Sequence, residues 1–291
     1  MTRLLSVRTQ PKGGPVAPGQ AYDSDGAIWP GIGTAKITYR QVPAATVAHD
    51  VSGKDAVLAI HGFNVGQASG ATSFAKLDAY LALPPHQQFF GVLWPGDYWL
   101  PVVNYPWAGE EAARSGKSLA TYLNANFRGA ASISFISHSL GARVLLEAVR
   151  SLTLPVAELC ITAGAVDRDC LIKQYRDVAG KAARISVLSS RKDNVLRLAY
   201  PVGNLISDLF AAEDSSAKGA LGYIGPPPPV SAPVVGHPIP EKAPPAASNY
   251  GHSDYLPSSD PINPTVAPPG GKWSIAAGYM ERAVSGAPNH W

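Results

Sequence analysis

Residues 131–150 read ASISFISHSLGARVLLEAVR. Ile133 to Ser137 has strand character, and beyond it Val144, Leu145, Ala148 and Val149 recur at the spacing of one buried helix face. No loop separates the two patterns, so His138-Ser139-Leu140-Gly141 must form an abrupt strand-to-helix turn with Ser139 at its tip. Such a turn strains the central residue and crowds the positions two before and two after it, where only small side chains fit. Ser137 and Gly141 fill those places, giving G-x-S-x-G with its first Gly replaced by Ser. A bare S-x-S-x-G is common. Flanked by a strand and a helix, it marks a nucleophilic serine rather than a structural turn. The turn lifts the hydroxyl clear of the sheet edge, and the Leu140 amide at the helix start can donate to an oxyanion, helped by the helix dipole.

At this point the chain resembles the α/β-hydrolase superfamily of serine hydrolases, whose remaining parts can be sought in order. The expected architecture is a mostly parallel central sheet with helices on both faces. Ala56 to Ile60 (AVLAI) is a short continuous apolar run, as a strand buried on both faces requires. It ends in His61-Gly62-Phe63-Asn64. The resemblance implies that the loop after this strand supplies a second oxyanion N–H, from Phe63 or else from Asn64. His61 reads as a brace for that loop rather than a base. Phe89 to Trp94 is the next strand, closed by Pro95-Gly96-Asp97. Trp94-Pro95-x-Asp97 resembles a pattern in a little-characterised bacterial branch of the superfamily.

Composition bounds the alternatives. A chain of 291 residues that is 46% hydrophobic and 15% charged can build one large core. Net charge is only +3 and no Lys/Arg block stands out, which argues against nucleic acid as a partner. Cys160 and Cys170 make no disulfide framework. No run approaches the ~18–20 apolar residues of a membrane span, and the N-terminus has no signal-type apolar region, so a cytoplasmic location is expected. The seven histidines contain no H-x-x-x-H, and no C-x-x-C occurs, so neither a metal nor another cofactor is expected. Gly116-Lys117-Ser118 ends like a phosphate loop, but Glu111 stands where its first Gly belongs and the segment is helical.

Residues 1–33, rich in Gly and Pro, read as an extended arm, with the catalytic domain over 34–291. Ile32 to Val42 alternates as a first edge strand. Helices are expected at Ser73–Leu83, Glu110–Phe127, Leu171–Val178, around Leu205–Ala212 and at Trp273–Val284, and further strands at Val156–Ala163 and Ala183–Ser189. The aromatic residues between Tyr98 and Trp107 could line a pocket. A Pro-rich insertion of about 200–247, densest from Gly225 to Pro245, should lie extended on the surface over the active-site end.

A serine hydroxyl needs a histidine to take its proton, and the histidine needs a carboxylate to fix its tautomer. The superfamily order of Ser, acid, His leaves His237, His252 and His290 as bases. His252, in a turn shortly before the closing helix, is favoured. Asp193 is favoured as the acid, with Asp167 as the alternative, since both follow strand ends. Asp169 and Asp254 are more remote. The implied function is hydrolysis of a small-molecule ester, or a thioester or amide, with Ser139 as nucleophile and Phe63 and Leu140 as oxyanion donors. An acyltransferase would use the same residues, and a binding protein retaining the fold is the alternative class.

Overall fold

The computed structural model describes residues 1–25, 37–81, 83–97, 105–198, 219–228, 233–238, 250–258 and 272–287. Nine strands form one sheet in the order β3-β2-β1-β5-β4-β6-β7-β8-β9. They are β1 Thr2–Arg8, β2 Val16–Ser24, β3 Tyr39–Val42, β4 Asp55–Ile60, β5 Gln87–Leu93, β6 Ser132–His138, β7 Val156–Thr162, β8 Ala182–Ser189 and β9 Val234–Pro238. From β1 through β5 to β9 every pairing is parallel, and only the β1–β2 and β2–β3 pairings are antiparallel. The α/β-hydrolase architecture expected from the elbow is therefore the one found.

Helices cover both faces because strands buried on both sides leave apolar side chains pointing each way. On one face α1 (Ala44–Asp50), α3 (Tyr105–Asn126) and α4 (Gly141–Ser151) enclose Val47, Leu119, Leu123, Val144, Leu145 and Phe135. On the other, α2 (Gln67–Leu81) and the closing helix Lys272–Val284 pack Phe74, Leu77, Tyr279 and Met280 against Val57 and Ile136. Gly116 lies where α3 and α4 touch. A Cβ there would stand 2.6 Å from the Val144 carbonyl oxygen, so the glycine serves close helix packing.

Three expectations are corrected. The N-terminal segment is no arm: β1 lies inside the sheet between β2 and β5, with Leu4, Leu5 and Val7 at most 1% exposed. Gly13 and Gly14, both at positive φ, turn the chain between β1 and β2, which is what glycine permits. Leu171–Val178 is mostly turns, with helix only at Arg176–Ala179. The Pro-rich stretch contains an edge strand, β9, paired with β8 from Ile185↔Val234 to Ser189↔Pro238. An edge strand pairs on one side only, so prolines at its ends are tolerated, and the Pro233 carbonyl still accepts from the Ile185 N–H at 2.9 Å. The strand expected over Ile32–Val42 is present as β3 at Tyr39–Val42. Residues 98–104, the helix around 205–212 and His290 lie outside the described residues.

The edge strand changes what trimming should do. Val234 is 8% exposed, so excising Val234–Pro238 removes about 1.5–3 kcal/mol of apolar burial and bares the edge of β8. We expect a Tm lower by about 3–12 °C, read by calorimetry. An unchanged Tm would mean that β9 adds nothing to the sheet.

Candidate active site

The strained residues gather where the strands end. Among the described residues the non-glycine positions at positive φ are Asn64, Ser139 and Ala163, which follow β4, β6 and β7. Ser139 has φ 54°, a left-handed conformation costing about 1–2 kcal/mol for an L-residue. Its surroundings impose it: the Ser139 N–H donates to Thr162 O at 3.1 Å, and its carbonyl accepts from Ala142 and Ala165 at 3.0 and 3.1 Å. The sharp turn also needs Gly141, whose added Cβ would lie 2.5 Å from the His61 carbonyl oxygen.

Ser139, His252 and Asp193 form one hydrogen-bonded row. His252 Nδ1 is 2.7 Å from Asp193 Oδ2, and His252 Nε2 is 2.9 Å from Ser139 Oγ. A carboxylate only accepts, so the imidazole proton sits on Nδ1 and the Nε2 lone pair faces the serine hydroxyl. That is the tautomer a base needs. Asp193 is fully buried and keeps its second oxygen on the Leu196 N–H at 2.9 Å. Asp167 instead pairs its backbone with Ala220. Asp169 holds Lys173 at 2.8 Å, and Asp254 accepts from Gly251 N and Lys272 Nζ. His237 lies in β9 opposite Leu188.

The loop that carries His252 is stapled from three sides. Ser190 Oγ donates to the Tyr250 carbonyl at 2.7 Å, Ser73 Oγ to Pro257 O at 2.8 Å, and Lys76 Nζ to Ser258 O at 2.7 Å. Tyr250 and Tyr255 are wholly buried beneath it. These contacts fix a loop of polar, turn-forming residues to α2 and to the start of the Asp193 turn.

The loop after β4 abuts Ser139. A Cβ on Gly62 would stand 2.9 Å from Ser139 Cβ, so only glycine lets the loop come this close. The Asn64 N–H is committed to Gly96 O at 2.7 Å, which leaves Phe63 as the loop's candidate oxyanion donor. His61 braces this loop with both ring nitrogens. Nδ1–H donates to Gly62 O at 2.8 Å, and Nε2 accepts the Trp94 N–H at 3.2 Å. Trp94 returns its indole N–H to His61 O at 2.8 Å and stacks on the imidazole at 5.7 Å.

Behind Trp94 lies Arg8, which sequence reasoning missed. Its guanidinium is 1% exposed and pairs with Asp97 at 2.6 Å. Its remaining N–H groups reach carbonyls of Gln10, Pro11, Val65 and Trp94. All five donors are thus used, tying β1 to the Trp-Pro turn and to the loop carrying Phe63. Asp97 also accepts the Gly13 N–H at 3.0 Å.

Two further imidazoles lie in the segments that frame Ser139. Burial holds His61 down to about 4, and burial followed by the neighbouring His252 holds His138 down to about 3. Unfolded histidines titrate near 6.5, so unfolding takes up protons below that pH. Stability is full above about 6.5 and falls as pH drops toward 4, by up to about 1.4 kcal/mol per pH unit for each site. We expect urea unfolding midpoints to fall steeply between pH 6.5 and 5, and His61→Gln to remove about one proton from that slope. An unchanged slope in the variant would show that His61 does not stay neutral.

Among the described residues no group of three or more His, Cys, Asp or Glu could hold a metal ion, and no helix is long and apolar enough to cross a membrane.

The largely parallel sheet and the serine elbow at its carboxyl edge define an α/β hydrolase. Residues 43–216 match the family described as "Alpha/beta hydrolase of unknown function (DUF900)", and the chain belongs to that family. Solved structures similar to it include a hyperthermophilic esterase from the archaeon Pyrobaculum calidifontis, at 12% identity and TM-score 0.42, covering 92% of this chain and 81% of that one. An inhibited esterase B from Lactobacillus rhamnosis is similar at 10% identity and TM-score 0.39, covering 80% and 78%. No curated protein matches the sequence.

Proposed function

We propose that this hydrolase cleaves a carboxylic ester of a small molecule through an acyl-enzyme on Ser139. The observation that carries the reading is the row from Asp193 through His252 to Ser139, with both contacts under 3 Å and the tautomer set for proton abstraction. Ser139 Oγ attacks the carbonyl carbon as its proton passes to His252 Nε2. The Phe63 and Leu140 N–H groups hold the oxyanion. Collapse breaks the ester C–O bond, and the leaving alkoxide takes the proton from Nε2. Water then attacks the acyl-enzyme, gives a proton to Nε2, and the second collapse returns that proton to Ser139. Asp193 stays ionised throughout and stabilises the imidazolium.

A fluorophosphonate probe tests the reading, because it reacts only with an activated serine. Stoichiometric labelling at Ser139, together with hydrolysis of short-chain nitrophenyl esters, is the expected result. A folded protein that takes no label would be a binding protein on the hydrolase fold. Labelling without hydrolysis, but with transfer to an added alcohol or amine, would make it an acyltransferase.

A further inference from the structure

The residue before the nucleophile is also a histidine. His138 ends β6, and its Nε2 lies 2.7 Å from the carbonyl oxygen of His252. A carbonyl only accepts, so the proton of His138 is on Nε2. Its ring centroid is 4.9 Å from that of His252 and 6.1 Å from that of Tyr255. Its Nδ1 lies against the loop after β4, where a Cβ on Gly62 would come within 3.0 Å. One imidazole thus touches the nucleophile strand, the base loop and the oxyanion loop.

We propose that His138 is a positioning residue, whose Nε2–H ties the backbone of the base to the strand end that carries Ser139. The inference rests on the serine-hydrolase reading given above. A histidine on a loop aims its ring only as well as its own backbone is held, and a misplacement of about 1 Å can cost about 100-fold in rate. The staples from Ser73, Lys76 and Ser190 hold the two ends of the base loop, at Tyr250, Pro257 and Ser258. The His138 contact falls on the base residue itself. The groups facing His138 are His252, Asp193 and His61, and with burial they leave it neutral down to about pH 3. Over the working range the bond therefore has one form, and no second positive charge opposes the imidazolium forming on His252.

The test uses the full chain with His138→Leu, His138→Gln and His138→Asn. The glutamine amide can reach the same carbonyl, the asparagine amide is too short, and leucine has no donor. Measured are Tm, kcat and KM on nitrophenyl acetate, the pH–rate midpoint, and the rate of fluorophosphonate labelling. His138→Leu should lower kcat and labelling about 10- to 100-fold, with KM within about twofold and the midpoint of the pH profile in place. His138→Gln should recover most of the rate and His138→Asn little. If leucine unfolds the protein, the glutamine and asparagine pair decides alone. Leucine at wild-type rate, glutamine no better than asparagine, or rate losses that follow Tm would each overturn the proposal. A wild type that takes no label sinks the hydrolase reading and this inference with it. A labelled wild type with an equally labelled leucine variant sinks the inference alone.

Discussion

Replacing Ser139 by Ala is expected to lower ester turnover by about five to six orders of magnitude, and adding His252→Ala to that variant should change almost nothing further. The reason is geometric. Ser139 Oγ has its proton acceptor at 2.9 Å, and once the oxygen is gone the imidazole has no proton to take. Residues that act as one unit lose their effect together. Tm should move little, since the hydroxyl is a small polar group at the sheet edge and the backbone bonds of residue 139 to Thr162, Ala142 and Ala165 remain. Single- and double-variant kinetics on one nitrophenyl ester check this. Multiplying losses would place His252 outside the proton path. Equal activity in Ser139→Ala and wild type would place the nucleophile elsewhere.

Asp193→Asn should cost about four orders of magnitude, the scale found when a triad aspartate becomes an amide. Asp193 accepts on both oxygens, from the Leu196 N–H at 2.9 Å and from His252 at 2.7 Å. An asparagine would keep its oxygen on Leu196 and turn its NH₂ toward Nδ1. The imidazole must then carry its proton on Nε2, facing the serine hydroxyl, and two donors meet where a donor and an acceptor are needed. The side chain is isosteric and buried, so folding should persist. Asp167→Asn, by contrast, should keep turnover within about tenfold, because the His252 imidazole is already held by Asp193 and the bridge of Asp167 to Ala220 is made by backbone. A crippled Asp167 variant beside an active Asp193 variant would reverse the assignment.

What was legible in the sequence was what is local. The elbow announces itself because a two-residue period meets a helical one at Ser139 with small residues on either side. The strands Asp55–Ile60 and Val156–Thr162 announce themselves as apolar runs bounded by turns. The sequence left Asp167 and Asp193 open, since both end strands, and only the fold decides which one meets His252. Residues 1–24 misled for a different reason. The run TRLLSVR is too short and too charged at its ends to signal a central strand, and its strand character comes from pairing with residues 91–93, far along the chain. β9 was hidden by its prolines, which are costly inside a sheet and tolerable at its edge. His138 and Arg8 escaped notice because their partners are 114 and 89 positions away. A side chain whose function is to reach across the chain leaves no period and no motif.

The stapled base loop has a consequence for when the protein comes alive during its synthesis. In the proposed triad the nucleophile and the acid precede the base, which follows Ser139 by 113 residues. A nascent chain that has emerged through the turn after β8 would hold the elbow and Asp193 but not His252 to take the serine proton. Its hydroxyl is then no better a nucleophile than any other alcohol. On the proposed mechanism, reactivity would begin only when residues 250–258 have been made and have docked onto Ser73, Lys76 and Ser190. If Ser139 and His252 act as proposed, the order of residues along the chain would serve as a safety catch, keeping an unfinished site from attacking acyl groups.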